Sequence, residues 1–242
     1  MNPESRIQNL EKSCLLSEQG FEILADILAP RQCDDLAREL SDLYEREQKS
    51  TRNKIGGVRN LLGQSSQVSE LASSERFSAI LRSRLGTPTF PVRALFFDKT
   101  PDANWRVPWH QDLTIAVREK KEVAEFKAWS IKDDILHVQP PCEILESMAT
   151  IRIHLDDCDA NNGALKIIPR SHLHGKLTPL EISDWTKQNP VVCKIPRGSA
   201  LLIRPLLLHS SSPAKTPSHR RVLHIEYATG NLPGGLKWFD SQ

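Results

Sequence analysis

His110 and Asp112, in Val107-Pro108-Trp109-His110-Gln111-Asp112, and His209 far downstream are the side chains of this chain best suited to chemistry. Two imidazoles and one carboxylate can hold a metal on one face and leave its other positions open, the donor set expected of a non-haem Fe(II) oxygenase. The same donors also suit zinc with an open position for water, so a zinc-dependent hydrolase is the competing reading. In a strand, residues two apart point to one face. His110 and Asp112 can then address a single ion while Trp109, Gln111 and Leu113 face elsewhere. His209 closes the apolar run Ala200 to Leu208, and a polar ring at the end of a buried strand needs a partner. His172 and His174 repeat the spacing, but they follow Pro169-Arg170-Ser171 in a loop and have no carboxylate between them.

The strand that follows His209 has a phase. Strict alternation puts Leu223, Ile225 and Tyr227 on one face with Arg221, and Arg220, Val222, His224 and Glu226 on the other. Thr150 to Asp156 splits in the same way, with Thr150, Arg152, His154 and Asp156 opposed to Ile151, Ile153 and Leu155. Such strands have either a solvated side or a polar pocket inside a barrel. With a metal nearby, Arg220 gains a specific purpose, because a guanidinium can grip a carboxylate in a bidentate fork.

The elements that must position these residues are legible in outline. Cys33, Leu36, Ala37, Leu40, Leu43 and Tyr44 recur at helical spacing after Pro30, predicting an amphipathic helix of about four turns. A second helical pattern runs from Val68 to Leu85, broken at Ser73-Ser74 and ended by Gly86 and Pro88. After Pro91 short apolar or alternating runs take over, separated by Pro, Gly, Asn and Asp. They are Val92 to Phe97, Trp109 to Val117, Met148 to Leu155, Ala164 to Ile168, Val191 to Ile195, Ala200 to Leu208 and Val222 to Ala228. An α+β arrangement follows, with helices packed outside an antiparallel sandwich or barrel. Asn162-Gly163 reads as a hairpin turn. Arg118 to Cys142 fits neither period and reads as a long excursion over the sheet, the kind of segment that forms lids and binding loops.

Composition narrows the function classes. A chain of 242 residues with 39% hydrophobic and 26% charged side chains matches a soluble globular domain. A net charge of +2 without a basic stripe argues against a nucleic-acid partner. No run approaches the roughly 20 apolar residues of a membrane span, and no leader is visible, so the expectation is a cytoplasmic protein without a membrane partner. Five widely spaced cysteines, Cys14, Cys33, Cys142, Cys158 and Cys193, read as free structural thiols.

His-x-Asp, a distant His and an Arg eleven residues beyond it resemble the phytanoyl-CoA dioxygenase family of Fe(II)/2-oxoglutarate-dependent oxygenases. The resemblance extends from Phe21 to Leu40 and through Asp98-Lys99-Thr100-Pro101. It continues in Asn162-Gly163-Ala164-Leu165, Ile168-Pro169-Arg170-Ser171-His172 and Gly198-Ser199-Ala200-Leu201-Leu202, covering about residues 20 to 230. It implies one dioxygenase domain over 1–242, with a helical part at about 20–90 and a double-stranded β-helix, or jelly roll, at about 91–230. It implies Fe(II) on His110, Asp112 and His209, and Arg220 on the distal carboxylate of 2-oxoglutarate. By the same resemblance Ser211 is the hydroxyl beside that carboxylate, and Lys99 and Arg152 lie near cosubstrate or substrate. The implied reaction consumes O2, releases succinate and CO2 and oxidises a small molecule, most simply by hydroxylation. Asp112 favours oxygenation over halogenation, since related iron halogenases lack this carboxylate. The family often has Gly where this chain has Arg170, and Arg118 to Cys142 matches nothing in it. A non-catalytic binding member of the fold is a further alternative. Arg152, His154, His224, Glu226 and Trp129 are expected to line the pocket, pointing to a small polar substrate or a natural-product intermediate. Trp105 and Trp109 are read first as wall or core. Nothing in the chain specifies an oligomeric state.

Overall fold

The computed structural model describes residues 15–50 and 57–240. Its helices obey local rules. Helix α1 runs from Pro30 to Ser50, starts on proline and buries Cys33, Leu36, Ala37 and Leu40 along one stripe. The second helical pattern, interrupted at Ser73-Ser74, is realised as two helices. These follow the single turn α2 (Leu61–Gln64) as α3 (Ser66–Ala72) and α4 (Glu75–Leu85). Ser65 Oγ accepts from Val68 N and Ser74 Oγ from Phe77 N, and Gly86, at φ 73°, closes α4 in the left-handed conformation.

Two antiparallel sheets form the jelly roll. The larger has the order β1 (Phe21–Leu24), β11 (Ala200–Ile203), β8 (Ala149–His154), β13 (Arg220–Ala228), β3 (Phe90–Lys99), β2 (Gly57–Val58). The smaller has the order β10 (Val191–Val192), β9 (Leu165–Ile167), β12 (His209–Ser211), β4 (Val107–His110). Helices α1, α3 and α4 pack on the outer face of the larger sheet. There Leu36, Leu40, Phe77 and Leu81 meet Phe96, Ile151, Ile153, Leu223 and Ile225 in one buried cluster. Burying each such side chain contributes about 2 kcal/mol. The buried pair Arg84–Glu22, at 2.8 Å, ties α4 to β1.

The helical layer decides between the two meanings of a half-polar strand. It covers the apolar faces of β8 and β13, so their polar faces turn inward, toward the smaller sheet, as a pocket lining. Arg152, His154, Arg220 and His224 are all buried. Arg221, on the opposite phase, forms a bidentate pair with Asp156 at 2.9 and 2.7 Å.

Four expectations need correction. Trp109 to Val117 is not one strand: β4 ends at His110 and β5 (Ile115–Val117) starts after a break. Asp112 therefore lies just past a strand end, where its N–H donates to Pro205 O at 2.9 Å. Ala200 to Leu208 is also split. The chain leaves the larger sheet at Ile203, turns through Arg204 to Leu208 and enters the smaller sheet at His209, which thus opens a strand. Asn162-Gly163 joins β8 to β9 across the two sheets, so it is a crossing turn and not a hairpin. Asp159 Oδ1 organises it by accepting from Asn161 N and Asn162 N. Finally, Arg118 to Cys142 is no loop. With β5 it builds a third sheet of order β5, β7 (Ile135–Gln139), β6 (Lys127–Lys132).

The remaining elements are short: α5 (Cys142–Glu146), α6 (Pro179–Trp185), begun by a capping box between Thr178 and Glu181, and 3-10 turns at Ser171–His174 and Pro233–Gly235. Cys33, Cys142, Cys158 and Cys193 are free thiols, as expected, while Cys14 lies outside the described residues. No helix among the described residues is long and apolar enough to cross a membrane.

Candidate metal centre

Strand register brings the two histidines together. His209 on β12 is the direct cross-strand partner of His110 on β4, and their rings lie 4.2 Å apart between centroids. Each ring is oriented by its Nδ1–H, which donates to a backbone carbonyl two residues earlier, Pro108 O at 2.9 Å and Leu207 O at 2.7 Å. A carbonyl only accepts, so both Nδ1 atoms carry the proton and both Nε2 atoms present lone pairs. Asp112 supplies the third donor, with Oδ1 3.6 Å from His110 Nε2 and Oδ2 3.7 Å from His209 Nε2. The three ligand atoms lie within 4.8 Å of one another. Three acceptors converge at distances too long for hydrogen bonds, an arrangement stabilised by a cation among them. The donor set, two nitrogens and one carboxylate with an open side, fits a divalent metal.

Electrostatics agree with this assignment. Burial drives the His209 imidazole down to about 4, which keeps it neutral and ready to ligate. His110 is more exposed; burial lowers it, but Asp112 outweighs burial and raises it. Burial works to raise the Asp112 carboxyl, and the two imidazoles hold it far below the usual carboxylate range.

Gln111, between the two donors in sequence, points the other way and fixes the segment. Its Nε2 donates to Gly175 O at 2.8 Å and Leu206 O at 2.7 Å, and its Oε1 accepts from Leu177 N at 2.8 Å. The ligand segment is thereby tied to the loop before α6 and to the turn that delivers His209.

Facing the triad across a cavity of about 420 Å³ is the polar face of the larger sheet. Arg220 and Lys99 are cross-strand partners on β13 and β3, and Arg152 and His224 on β8 and β13. Direct partners share a face, and all four line the cavity together with Ser211. Lys99 Nζ donates to Ser211 Oγ at 3.0 Å and to Ser212 O at 2.8 Å, and lies 5.5 Å from the Trp105 ring centre. Gly163 supports it from behind. A Cβ there would stand 2.9 Å from Ser212 O and 3.1 Å from Lys99 Nζ, so the crossing turn needs glycine for space as well as for its φ of 83°.

Lys99, Arg152 and Arg220 are buried and form no ion pair with a carboxylate among the described residues. The Nε–H of both arginines has no partner there. Burial, reinforced by Arg220 and Arg152, lowers Lys99 to about 8; burial and Arg220 lower Arg152 to about 10. Uncompensated buried cations of this kind call for an anion.

A second network has a fixed polarity. Arg152 Nη1 donates to His224 Nδ1 at 2.6 Å, so His224 Nε2–H points to Glu226 Oε1 at 3.3 Å, which also accepts from Arg93 Nη1 at 3.1 Å. Burial lowers His224, consistent with this neutral tautomer.

Every residue expected at the site is therefore brought to one cavity: His110, Asp112, His209, Arg220, Ser211, Arg152 and Lys99. Among the other pocket candidates, His224 and Glu226 line it. His154 and Trp129 do not: His154 is buried among the cations, and Trp129 packs partly buried against the cluster of Phe126, Val138 and Trp238. Trp105 forms wall, whereas Trp109 lies away from the cavity, against Ile168 and Leu208. His172 bonds to Ser17 O and His174 packs tilted against Trp185, so neither competes for the metal. The sequence reading missed Arg93, Leu95 and Phe97, which alternation back from Lys99 would have placed on the same face. It also missed Arg59, Thr114 and Lys132, for which no local signal exists.

The family model of phytanoyl-CoA dioxygenase (PhyH) matches residues 16–222. The chain belongs to this family. It thereby falls in the class of Fe(II)- and 2-oxoglutarate-dependent oxygenases. Solved structures share the family fold at low identity. The non-haem α-ketoglutarate-dependent carbocyclase SnoK from nogalamycin biosynthesis superposes with a TM-score of 0.70 at 16% identity, covering 91% of this chain and 84% of its own. EctD from S. alaskensis with bound Fe gives 0.69 at 18%, covering 90% and 76%. The epimerase SnoN, in complex with Fe3+, α-ketoglutarate and nogalamycin RO, gives 0.68 at 15%, covering 95% and 92%. No curated protein matches the chain.

Proposed function

We propose that this protein hydroxylates a small molecule, using Fe(II), 2-oxoglutarate and O2 and releasing succinate and CO2. One observation carries the reading: a triad of unprotonated metal donors faces three buried cations without ion-paired carboxylates across a single cavity. His110, Asp112 and His209 would hold the iron, which supplies the activation of dioxygen for C–H oxidation. The 2-oxo acid carries two carboxylates. Arg220 would take the distal one in a bidentate fork, and Ser211 would add a hydroxyl already aligned by Lys99. Arg152, whose guanidinium bonds to the His224 ring and lies over the Phe97 ring, contributes positive charge to the same floor.

A zinc hydrolase needs a free general base, and the structure argues against one. Besides Asp112, the cavity holds one carboxylate among the described residues, Glu226. Burial works to raise it, yet Arg93 and His224 hold it below its usual range, as an ion-paired acceptor.

The test is an anaerobic titration of metal-free protein with Fe(II) and 2-oxoglutarate, followed by the visible charge-transfer band of a 2-oxo acid chelated to iron. The band is expected in the native protein and not in His110→Ala or Asp112→Ala. Tight Zn(II) binding without any band would overturn the reading. Gain of one oxygen atom in the product, read by mass, separates hydroxylation from the ring closure and epimerisation named for SnoK and SnoN.

A further inference from the structure

The cavity mouth has its own charge pattern. Among the described residues, six cationic side chains line the cavity, Arg59, Arg93, Lys99, Lys132, Arg152 and Arg220, against two carboxylates, Asp112 and Glu226. The floor, Lys99, Arg152 and Arg220, is matched to the 2-oxo acid in the reading above. Arg93 is paired with Glu226, and Arg59 with Asp133. Lys132 is left over. Its hydrogen bond is to a neutral group, the Thr114 hydroxyl at 3.2 Å, and it pairs with no carboxylate among the described residues. Thr114 Oγ accepts from this ammonium, so its own O–H remains available to donate. Both groups line the cavity on the side of the third sheet.

This placement is built into the fold. Lys132 is the last residue of β6, at the tip of the β6–β7 hairpin. Asp133 and Asp134 turn the chain there with φ of 48° and 59°, the left-handed pair of a two-residue turn. The Arg59–Asp133 ion pair pins that tip beside β2, at the cavity mouth. Beyond burial, Arg93 and Arg59 depress the Lys132 ammonium, whereas Asp112 and Glu226 support it. Leu95, Phe97 and Leu113 give the same cavity an apolar wall. A volume of about 420 Å³, shared with the cosubstrate, is at the small end of the roughly 300–1,000 Å³ typical of ligand sites.

We infer that the substrate is a metabolite-sized molecule with an apolar portion against Leu95, Phe97 and Leu113 and a terminal carboxylate or phosphate held at the mouth by Lys132 Nζ and the Thr114 hydroxyl. This rests on the oxygenase reading for the position of the cosubstrate. It replaces a generally polar substrate with an anionic, amphipathic one, and it gives the third sheet a function.

The test uses anaerobic protein loaded with Fe(II) and saturating 2-oxoglutarate, titrated calorimetrically with two matched pairs of probes. These are 4-phenylbutyrate and 4-phenylbutyramide, and phenethyl phosphate and phenethyl alcohol. At least one anion should bind about tenfold more tightly than its neutral partner, the size of one charge pair at a partly desolvated site. Which anion it is distinguishes a carboxylate from a phosphate substrate. Lys132→Gln should erase the preference and Lys132→Glu should reverse it, with the charge-transfer band of bound 2-oxoglutarate unchanged in both. Lys132 is exposed at a hairpin tip, so neither variant threatens folding. Equal binding of anionic and neutral probes would overturn the inference, as would a preference that survives Lys132→Gln. Anion binding that vanishes once 2-oxoglutarate saturates would also overturn it, by placing the anions on the floor. A missing charge-transfer band with the Lys132-dependent preference intact would instead sink the oxygenase reading alone.

Discussion

Arg220 and Arg221 are adjacent in sequence and opposite in consequence. Arg220 enters the cavity without an ion-paired carboxylate, and Arg221 turns outward onto Asp156 in a bidentate pair. Arg220→Ala should weaken 2-oxoglutarate binding by about 2 kcal/mol or more, roughly thirtyfold, measured through the charge-transfer band. Arg221→Ala should leave that affinity nearly unchanged and lower stability to denaturant instead. Equal effects on binding would mean that the inward phase of β13 is misassigned. Lys99 adds a pH dependence. Burial depresses its ammonium, and the charges facing it are Arg220 on β13 and Arg152 on β8; the Cys158 group beside them would support it only as a thiolate, which burial disfavours. Its charged form, the one that attracts an anion, dominates below about 8 and is lost as pH rises through that value. Affinity for 2-oxoglutarate should therefore fall above about pH 8 in the native protein, and this fall should be absent in Lys99→Arg. An affinity flat to pH 9.5, roughly one and a half units above the depressed value, would show that Lys99 does not contribute charge to the floor.

At the scale of elements, what could be read from the sequence depended on how locally each was determined. The pattern of helices α3 and α4, with its break at Ser73-Ser74 and its stop at Gly86, was legible because periodicity and terminators act within a few residues, whereas the Ser65 cap was not read. So were the two faces of β8 and β13; whether the polar face was wet or enclosed waited on the helical layer. The crossing from β11 to β12 was hidden for a physical reason. Leu206, Leu207 and Leu208 are each buried in a different cluster, so three neighbouring leucines show no period at all. The break before Asp112 rests on a hydrogen bond to Pro205, nearly a hundred residues away, and has no local trace. Arg170 shows the reverse case, a departure from the family pattern whose cost the structure explains. It sits at φ 69°, where a side chain costs about 1–2 kcal/mol and glycine costs little. Arg170→Gly should raise stability by about 0.5–1 kcal/mol once the added freedom of the unfolded chain is subtracted, seen as a higher melting temperature. A lower one would show that the arginine side chain contributes more than its backbone strain costs.

On the scale of the whole molecule, alternation within single strands pointed to Arg220, His224 and Arg152 and the family resemblance to Lys99 and Ser211, and register joins them. Once one residue of a strand faces inward, its alternate neighbours and their cross-strand partners follow, as Lys99, Arg220, His224 and Arg152 do. The mouth was not legible. Arg59, Thr114 and Lys132 come from three separate elements, and only the assembled fold places them around one opening. The three sheets also divide the labour. Metal donors come from the smaller sheet and the segment that follows it, and the cationic floor comes mainly from the larger. The third sheet, whose hairpin tip is fastened by the Arg59–Asp133 ion pair, shares no ladder hydrogen bonds with either. Its base is fixed, because Val117, Phe126 and Val138 share a buried cluster with Leu206 of the turn before His209, whereas its exposed tip can change composition without repacking that core. That tip is where the same scaffold could be redirected, by divergence or by grafting, to a new molecule.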